Sequence, residues 1–479
     1  MLTTIQPLVQ KLLTFLLAFF TSLILFAQKS ALPEGSQIYK TYCAGCHGAQ
    51  LQGNSAGALI KTDWIYGRGR SALTKNIRFG IPGTEMAAWN TVLDNEEINA
   101  VADFIMAAQQ TPPAARRPIP EQINTEDYML NVEQLVSEGI VNPWAIEFVD
   151  DSRALISERS GKLRWLIDGK LDTQEIKGLP PTYEEKTGGY MDIALDPHYT
   201  DNGWVYLAYS HTDGDMDDEE VPAMTKIVRA KIKDHQWVEE QTIFEVPDSL
   251  LVVKGNRWGC RFLFDKEGLL YFTIGDMNQA MASQDLGKAT GKVFRIHPDG
   301  SIPEDNPYVD EEGALAAIFT IGNRNVQGLD QHPITGEIWA TEHGPMGGDE
   351  LNILHKGKNY GWPVITYGVD YSGEIVSDKT HQEGMEQPIT QWTPSIAVCP
   401  VEFNTSPLFP KWQNNLLVGA LAYEELRRLV IEDEQVVSQE MILKNLGRVR
   451  DIKSSPDGAL YVVLNNPDVI LRITPEEEL

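Results

Sequence analysis

Five residues, Cys43-Ala44-Gly45-Cys46-His47, carry the most specific chemistry in the chain. The spacing C-x-x-C-H is that of c-type haem attachment. Two thiols can form thioethers to a porphyrin, and the adjacent histidine is held where it can ligate the iron on one face. The other uses of C-x-x-C are a zinc half-site and a dithiol redox pair. A structural zinc site needs two more ligands at comparable spacing, and none follows nearby. The flanks fit a small helical electron carrier. Gln37 to Tyr42 reads as the last turn of a helix entering the motif. Asn95 to Ala108 has apolar residues at Ile98, Val101, Ala102, Ile105 and Met106, a helical period, with Asp94 or Asn95 as N-cap.

A thioether ligand raises a haem's potential, and Met86 is the expected sixth ligand. It lies in Gly83-Thr84-Glu85-Met86-Ala87-Ala88-Trp89, a Gly/Pro-rich loop before the last helix. This resembles the class I cytochrome c pattern, in which a loop methionine closes the pocket. Met106 competes, but it falls on the apolar face of a helix, where a methionine is more often core. Upstream, Leu12 to Ala27 is an apolar span of 16 residues after Lys11, shorter than the ~20 that cross a bilayer. Residues 1–27 therefore read as a secretory signal peptide cleaved near Ala27, with an uncleaved anchor as the alternative. No cysteine sits at the cleavage point, so a lipoprotein is not expected. The expected location is periplasmic or secreted, or membrane-anchored if the segment is retained.

Only four cysteines occur in 479 residues. With Cys43 and Cys46 given to haem, Cys260 and Cys399 remain. They lie in apolar runs that look like separate core strands, so a bridge between them is not expected, and the chain is not a disulfide scaffold. The net charge of −28 argues against nucleic acid and anionic membrane surfaces and is compatible with basic redox partners. Thr111-Pro112-Pro113, Pro118 and Pro120 mark a stiff linker, taken as 110–125. It separates a cytochrome domain, 30–109, from a region, 126–479, too large for one ordinary core unless it is a repeat or barrel architecture.

That region carries a weak internal repeat. A short apolar strand meets a turn rich in Asp, Pro, Gly or Asn, and a second apolar strand follows. The six first strands begin at Trp144, Met191, Arg261, Val326, Val401 and Val449. Period-2 strands, hairpin turns and almost no helical pattern indicate an all-β fold, and six repeats suggest a six-bladed β-propeller. A pair of β-sandwiches is the alternative. In a propeller the loops before each inner strand and after each second strand share one face. Those loops hold His211, Arg257, Asn323-Arg324-Asn325, His343-Gly344-Pro345 and Arg448-Val449-Arg450. Several arginines then meet near one axis. Either they pair with local acids such as Asp276, Asp349, Glu350 and Asp451, or they await a polyanionic small ligand.

Residues from about 130 onward resemble the soluble quinoprotein glucose dehydrogenase and aldose sugar dehydrogenase family. The matching segments include Gly189-Tyr190-Met191-Asp192-Ile193-Ala194-Leu195, Thr273-Ile274-Gly275-Asp276, Gly322-Asn323-Arg324-Asn325, Glu342-His343-Gly344-Pro345, Asn359-Tyr360-Gly361-Trp362-Pro363 and Arg448-Val449-Arg450-Asp451. The resemblance implies a propeller that binds pyrroloquinoline quinone (PQQ) and calcium. By position, Arg448 and Arg450 would pair with the cofactor's carboxylates, and Arg324 and Asn325 would lie along the quinone. The carbonyls of Gly344 and Pro345 would ligate the calcium, and Trp392 would cover the substrate or cofactor edge. The family's base, a histidine before the third inner strand, is replaced here by Arg257 in Asn256-Arg257-Trp258-Gly259-Cys260-Arg261. Arginine stays protonated and cannot abstract a proton.

Three readings are open. Another group is the base, with His343 the closer candidate and His211 the other. Alternatively, Arg257 binds an anionic substrate or a cofactor carboxylate. In the third, the propeller only binds. The expected function is a quinohaemoprotein that oxidises a sugar or related alcohol or hemiacetal and passes electrons through one covalent haem c to an external acceptor. The alternatives are a calcium-dependent, lactonase-like hydrolase and an inactive sugar-binding propeller.

Overall fold

The computed structural model describes residues 35–47, 51, 59, 69–81, 86–108 and 118–476, apart from 185, 217, 219 and 371–373. The segment Leu12 to Ala27 lies outside the described residues, and no described helix is long and apolar enough to cross a membrane. The chain divides into two compact units between Ala115 and Arg116.

The first unit is helical. Residues 35–42 form α1, Ala44–His47 α2, Gly69–Phe79 α3 and Asn95–Ala108 α4. The start of α4 is set by Asp94. Its carboxylate accepts the backbone N–H groups of Glu96 and Glu97 at 2.9 Å each, and the Glu97 carboxylate returns to the Asp94 N–H at 2.9 Å. This is a reciprocal capping box. The periodic residues Ile98, Val101, Ala102 and Ile105 then bury against Tyr39, Leu51, Leu73, Ile77 and Leu93. α1 meets α4 backbone to backbone, because a Cβ on Gly35 would stand 2.0 Å from the Ala100 carbonyl oxygen. α3 carries no clear apolar stripe in the sequence. Arg70, Lys75 and Arg78 interrupt it, and Lys75 falls on the buried face beside Leu73 and Ile77.

The second unit is a six-bladed β-propeller of antiparallel sheets. The inner strands are Pro143–Asp150, Tyr190–Leu195, Gly259–Phe264, Val326–Gln331, Val398–Phe403 and Arg448–Ser454. We number the blades I to VI in that order. Each inner strand packs beside the next, and the sixth beside the first, around the axis. The repeat legible in the sequence corresponds to the inner two strands of every blade. Blade VI closes the ring: its third strand, Val469–Pro475, pairs with Met129–Val136, and that strand with Gln122–Asn124. The linker expected over 110–125 therefore ends earlier than expected, because three residues, Gln-Ile-Asn, are too short to show an alternation and sit beside the proline run.

In all six blades the register between inner and second strand shifts near the start of the inner strand. These irregularities lie at one end of the channel and aim side chains there. An inner strand also has an open edge, whose N–H groups need acceptors. Carboxylates on neighbouring blades supply several. Asp192 accepts from the Phe262 N–H (2.7 Å), Asp330 from Phe403 (2.5 Å), Glu402 from Ser454 (2.7 Å) and Asp451 from Ile146 (2.9 Å).

Candidate cofactor and catalytic site

Arg324 and Asn325 directly precede the inner strand of blade IV, and Glu342 ends its second strand. The Glu342 carboxylate takes the Asn323 Nδ2 (2.9 Å) and the Arg324 backbone N–H. Burial pushes its pKa above the usual carboxylate range. Held this way, Arg324 donates through Nη1 to the His343 carbonyl (3.0 Å) and lies 5.2 Å from the Trp362 ring centre. The Asn325 Oδ1 accepts from Gln327 Nε2 (3.2 Å).

Arg450 reaches the same region from blade VI. Its guanidinium lies 4.2 Å from the Trp144 ring centre and donates to Asn465 Oδ1 (3.1 Å). Its Nη1 approaches Gln327 Oε1 at 3.4 Å and Cys399 Sγ at 3.7 Å. Burial, with repulsion from Arg448 and Arg261, pulls Arg450 down to about 10. Among the described residues neither Arg448 nor Arg450 forms an ion pair. The nearby carboxylate Asp451 is engaged by Arg261 instead (3.0 Å).

His343 stands among these cations. Its backbone N–H donates to the Asn325 carbonyl (3.0 Å), and its Nε2 is buried with no hydrogen-bond partner among the described residues. Burial, then the charges of Arg324 and Arg450, pull its imidazole down to about 3, so it is neutral near pH 7. The following turn is tight. The Gly344 N–H donates to Asp349 Oδ1 (2.8 Å), and a Cβ on Gly344 would lie 2.2 and 2.3 Å from the carbonyl oxygens of Gly347 and Gly348. Among the described residues nothing donates a hydrogen bond to the carbonyl oxygens of Gly344 and Pro345.

The other expected residues divide. Arg257 adopts a left-handed backbone (φ +63°) and forks onto Asp276, with Nε–Oδ1 at 2.6 Å and Nη2–Oδ2 at 3.1 Å. The Trp362 Nε1 also donates to Asp276 Oδ2 (2.9 Å), so one indole walls both Arg257's partner and Arg324. His211 is not brought to this cluster. It lies 3.2 Å from Asp213 and 3.5 Å from Glu245, beside Lys226 of its blade's third strand, and burial followed by the Lys226 charge lowers its pKa. Trp392 is buried in an apolar cluster with Trp339, Leu351, Ile396 and Val398. Cys260 and Cys399 are free and buried. In the helical unit Cys43 is half-buried, Cys46 exposed, and both Met86 and Met106 pack at the rim of the core. Burial and the neighbouring Cys46 push the Cys43 thiol up to about 11.

Sequence reasoning assigned no role to Glu342, Trp362, Gln327 or Trp144. The available signals were a carboxylate directly before His343 and an indole inside a matching segment. The donor set fits a polycarboxylate: Arg448 and Arg450 near the axis lack carboxylate partners among the described residues, and charge-assisted forks suit such a ligand. Among the described residues no three His, Cys, Asp or Glu side chains form a metal-ligating group. A cation here would rest on carbonyl oxygens such as those of Gly344 and Pro345, which suits a hard ion such as calcium.

Comparison with known proteins finds relatives of both units. Residues 140–472 match the family described as Glucose / Sorbosone dehydrogenase. Residues 30–105 match Cytochrome C oxidase, cbb3-type, subunit III. Aldose sugar dehydrogenase YliI of Escherichia coli (strain K12) is 36% identical over 353 residues, covering 72% of this chain and 93% of the relative. Quinoprotein glucose dehydrogenase B of Acinetobacter calcoaceticus is 25% identical over 415 residues, covering 70% of this chain and 85% of the relative. The crystal structure of the soluble aldose sugar dehydrogenase from Escherichia coli in the apo-form superposes with a TM-score of 0.68 at 34% identity, covering 72% of this chain and all of that one. The chain belongs to the glucose/sorbosone dehydrogenase family and joins that propeller to an N-terminal cytochrome c domain.

Proposed function

We propose that the protein is an exported quinohaemoprotein that oxidises a sugar or related alcohol or hemiacetal. The carrying observation is the pair of arginines near the axis, Arg448 and Arg450, that have no carboxylate partner among the described residues yet lie close to a neutral imidazole. A calcium-dependent hydrolase would make no use of such a set. PQQ, when bound, supplies the two-electron acceptor. Arg448 and Arg450 would hold its carboxylates, Arg324 and Asn325 would orient it, and the carbonyls of Gly344 and Pro345 would hold calcium. His343 Nε2 accepts the proton of the substrate hydroxyl. A bound polycarboxylate would offset the Arg324 and Arg450 charges beside His343, while burial, the larger cause of its lowered pKa, would remain. Oxidation of CH–OH to C=O releases two electrons and two protons. Cys43 and Cys46 would hold haem c, with His47 and Met86 as its iron ligands, and the haem would supply one-electron transfer toward an external acceptor.

The test is to reconstitute the haem-loaded protein with PQQ and calcium and follow haem absorbance as sugars and sugar alcohols are added. Reduction that needs both PQQ and substrate is expected. Failure to bind PQQ at all would sink this reading.

A further inference from the structure

The deep arginines account for a cofactor, but Arg257 and its surroundings remain unused. Asp276 is fully buried and accepts Nε and Nη2 of Arg257, the Trp362 Nε1 and the Asn278 N–H (3.1 Å). That carboxylate accepts four hydrogen bonds. Its effect is to fix the plane of the guanidinium. The third nitrogen, Nη1, has no hydrogen bond among the described residues, and the Arg257 side chain is 21% exposed. Arg257 adjoins the cofactor residues. A Cβ on Gly275 would meet the Arg257 carbonyl oxygen at 1.8 Å and Asn325 Oδ1 at 2.7 Å, and the Asp276 N–H donates to the Arg324 carbonyl (2.7 Å).

The loop ahead of blade II leans on Arg257. Thr187 Oγ1 accepts the Arg257 N–H (3.1 Å) and donates to Asn256 Oδ1 (2.6 Å), while the neighbouring Lys186 donates to the Lys254 carbonyl (3.1 Å). Around this rim Arg159 pairs with Glu184, Lys254 with Glu220 and Arg257 with Asp276. Lys186 is exposed and has no ion pair among the described residues. A chain of net charge −28 thus leaves, on two loops joined through Thr187, an exposed lysine without an ion pair among the described residues and an open guanidinium edge. An arginine clamped by one carboxylate and open on its other edge is built to receive a second anion.

We propose that Arg257 and Lys186 select a substrate that carries a carboxylate, so that the preferred substrates are sugar acids rather than neutral sugars. This rests on the dehydrogenase reading for the chemistry at the carbinol. The test compares matched pairs, glucuronate with glucose and galacturonate with galactose, in the haem-loaded holoprotein. It records kcat/KM by haem reduction and affinity by calorimetry. The acid of each pair is expected to be favoured, with its KM rising as salt is added. Its advantage should fall about 10- to 100-fold in Arg257→Gln, the range for one charge-assisted contact. Lys186→Ala lies at an exposed position and tests the same selectivity without disturbing buried Asp276. Preference for the neutral member, or a ratio that neither variant moves, overturns the proposal and leaves the dehydrogenase standing. If nothing reduces the haem, the dehydrogenase reading fails. Calorimetry then still decides the anion site: acid binding weakened in Lys186→Ala supports it, and no acid binding overturns it.

Discussion

Arg450 spends a charge in a buried place and gains only a ring, an amide, a thiol and a side-chain carbonyl in return. Such a guanidinium is stabilised by an anion arriving from outside. Arg450→Gln should therefore weaken PQQ binding about 10- to 100-fold, the equivalent of about 1.5–3 kcal/mol, in a fluorescence titration. An unchanged Kd would remove Arg450 from the binding set. His343 has the opposite character, because its value lies in staying neutral with Nε2 open. His343→Ala should lower kcat for haem reduction by about 10²- to 10⁴-fold, the usual worth of a positioned base, with a smaller effect on KM. Both positions could be picked out in the sequence because they flank strands, where a propeller gathers its loop residues. Their supports could not. Glu342, Trp144 and Trp362 act only once separate blades or loops close on one another, and no spacing along the chain encodes that. The sequence did suggest local acids as partners for the arginines. The structure pairs Asp276 with Arg257, while Asp451 serves Arg261.

The inner strands were legible from alternation and turns, but the way one blade grips the next was not. An Asp or Glu in a strand reads as a solvated position, whereas here it accepts a neighbouring blade's N–H. Asp330 is one of these carboxylates. Burial raises its carboxyl to about 6 against the opposing pull of the Phe403 and Gln331 N–H groups and Lys453. The folded state then holds a proton that the unfolded chain gives up near pH 4. Stability from this group is complete below about pH 4 and is lost as pH rises through about 6. Asp330→Ala also leaves the Phe403 N–H without its acceptor, a cost of about 1–3 kcal/mol. Denaturation should therefore show a larger loss in the variant at about pH 4.5 than at about pH 7.5, and equal losses would refute the assignment. In the helical unit the stop and start signals were clearer than the stripe. Asp94 could be seen as a cap, while α3 was hidden by Arg70, Lys75 and Arg78. Asp94→Ala should cost about 1 kcal/mol, read as a lower melting temperature of the cytochrome transition with the propeller transition unmoved.

A propeller that closes through its own N-terminal strands leaves its chain entering at blade VI, at residues 118–136. The cytochrome helix α4 ends at Ala108, ten residues before Pro118, a span of at most about 35 Å when extended. A covalent tether makes any encounter of the two units intramolecular, and for a short linker the effective concentration is of order millimolar. Haem reduction in the intact protein should then be first order and independent of protein concentration. A protease site placed between Ala108 and Pro118 provides the comparison. At about 1 μM protein, cleavage should slow haem reduction by up to about 10³-fold, the ratio of the tethered to the free concentration. The rate should become proportional to the concentration of the released cytochrome. If the uncleaved rate already scales with concentration, electrons pass between molecules, and the tether serves assembly rather than transfer.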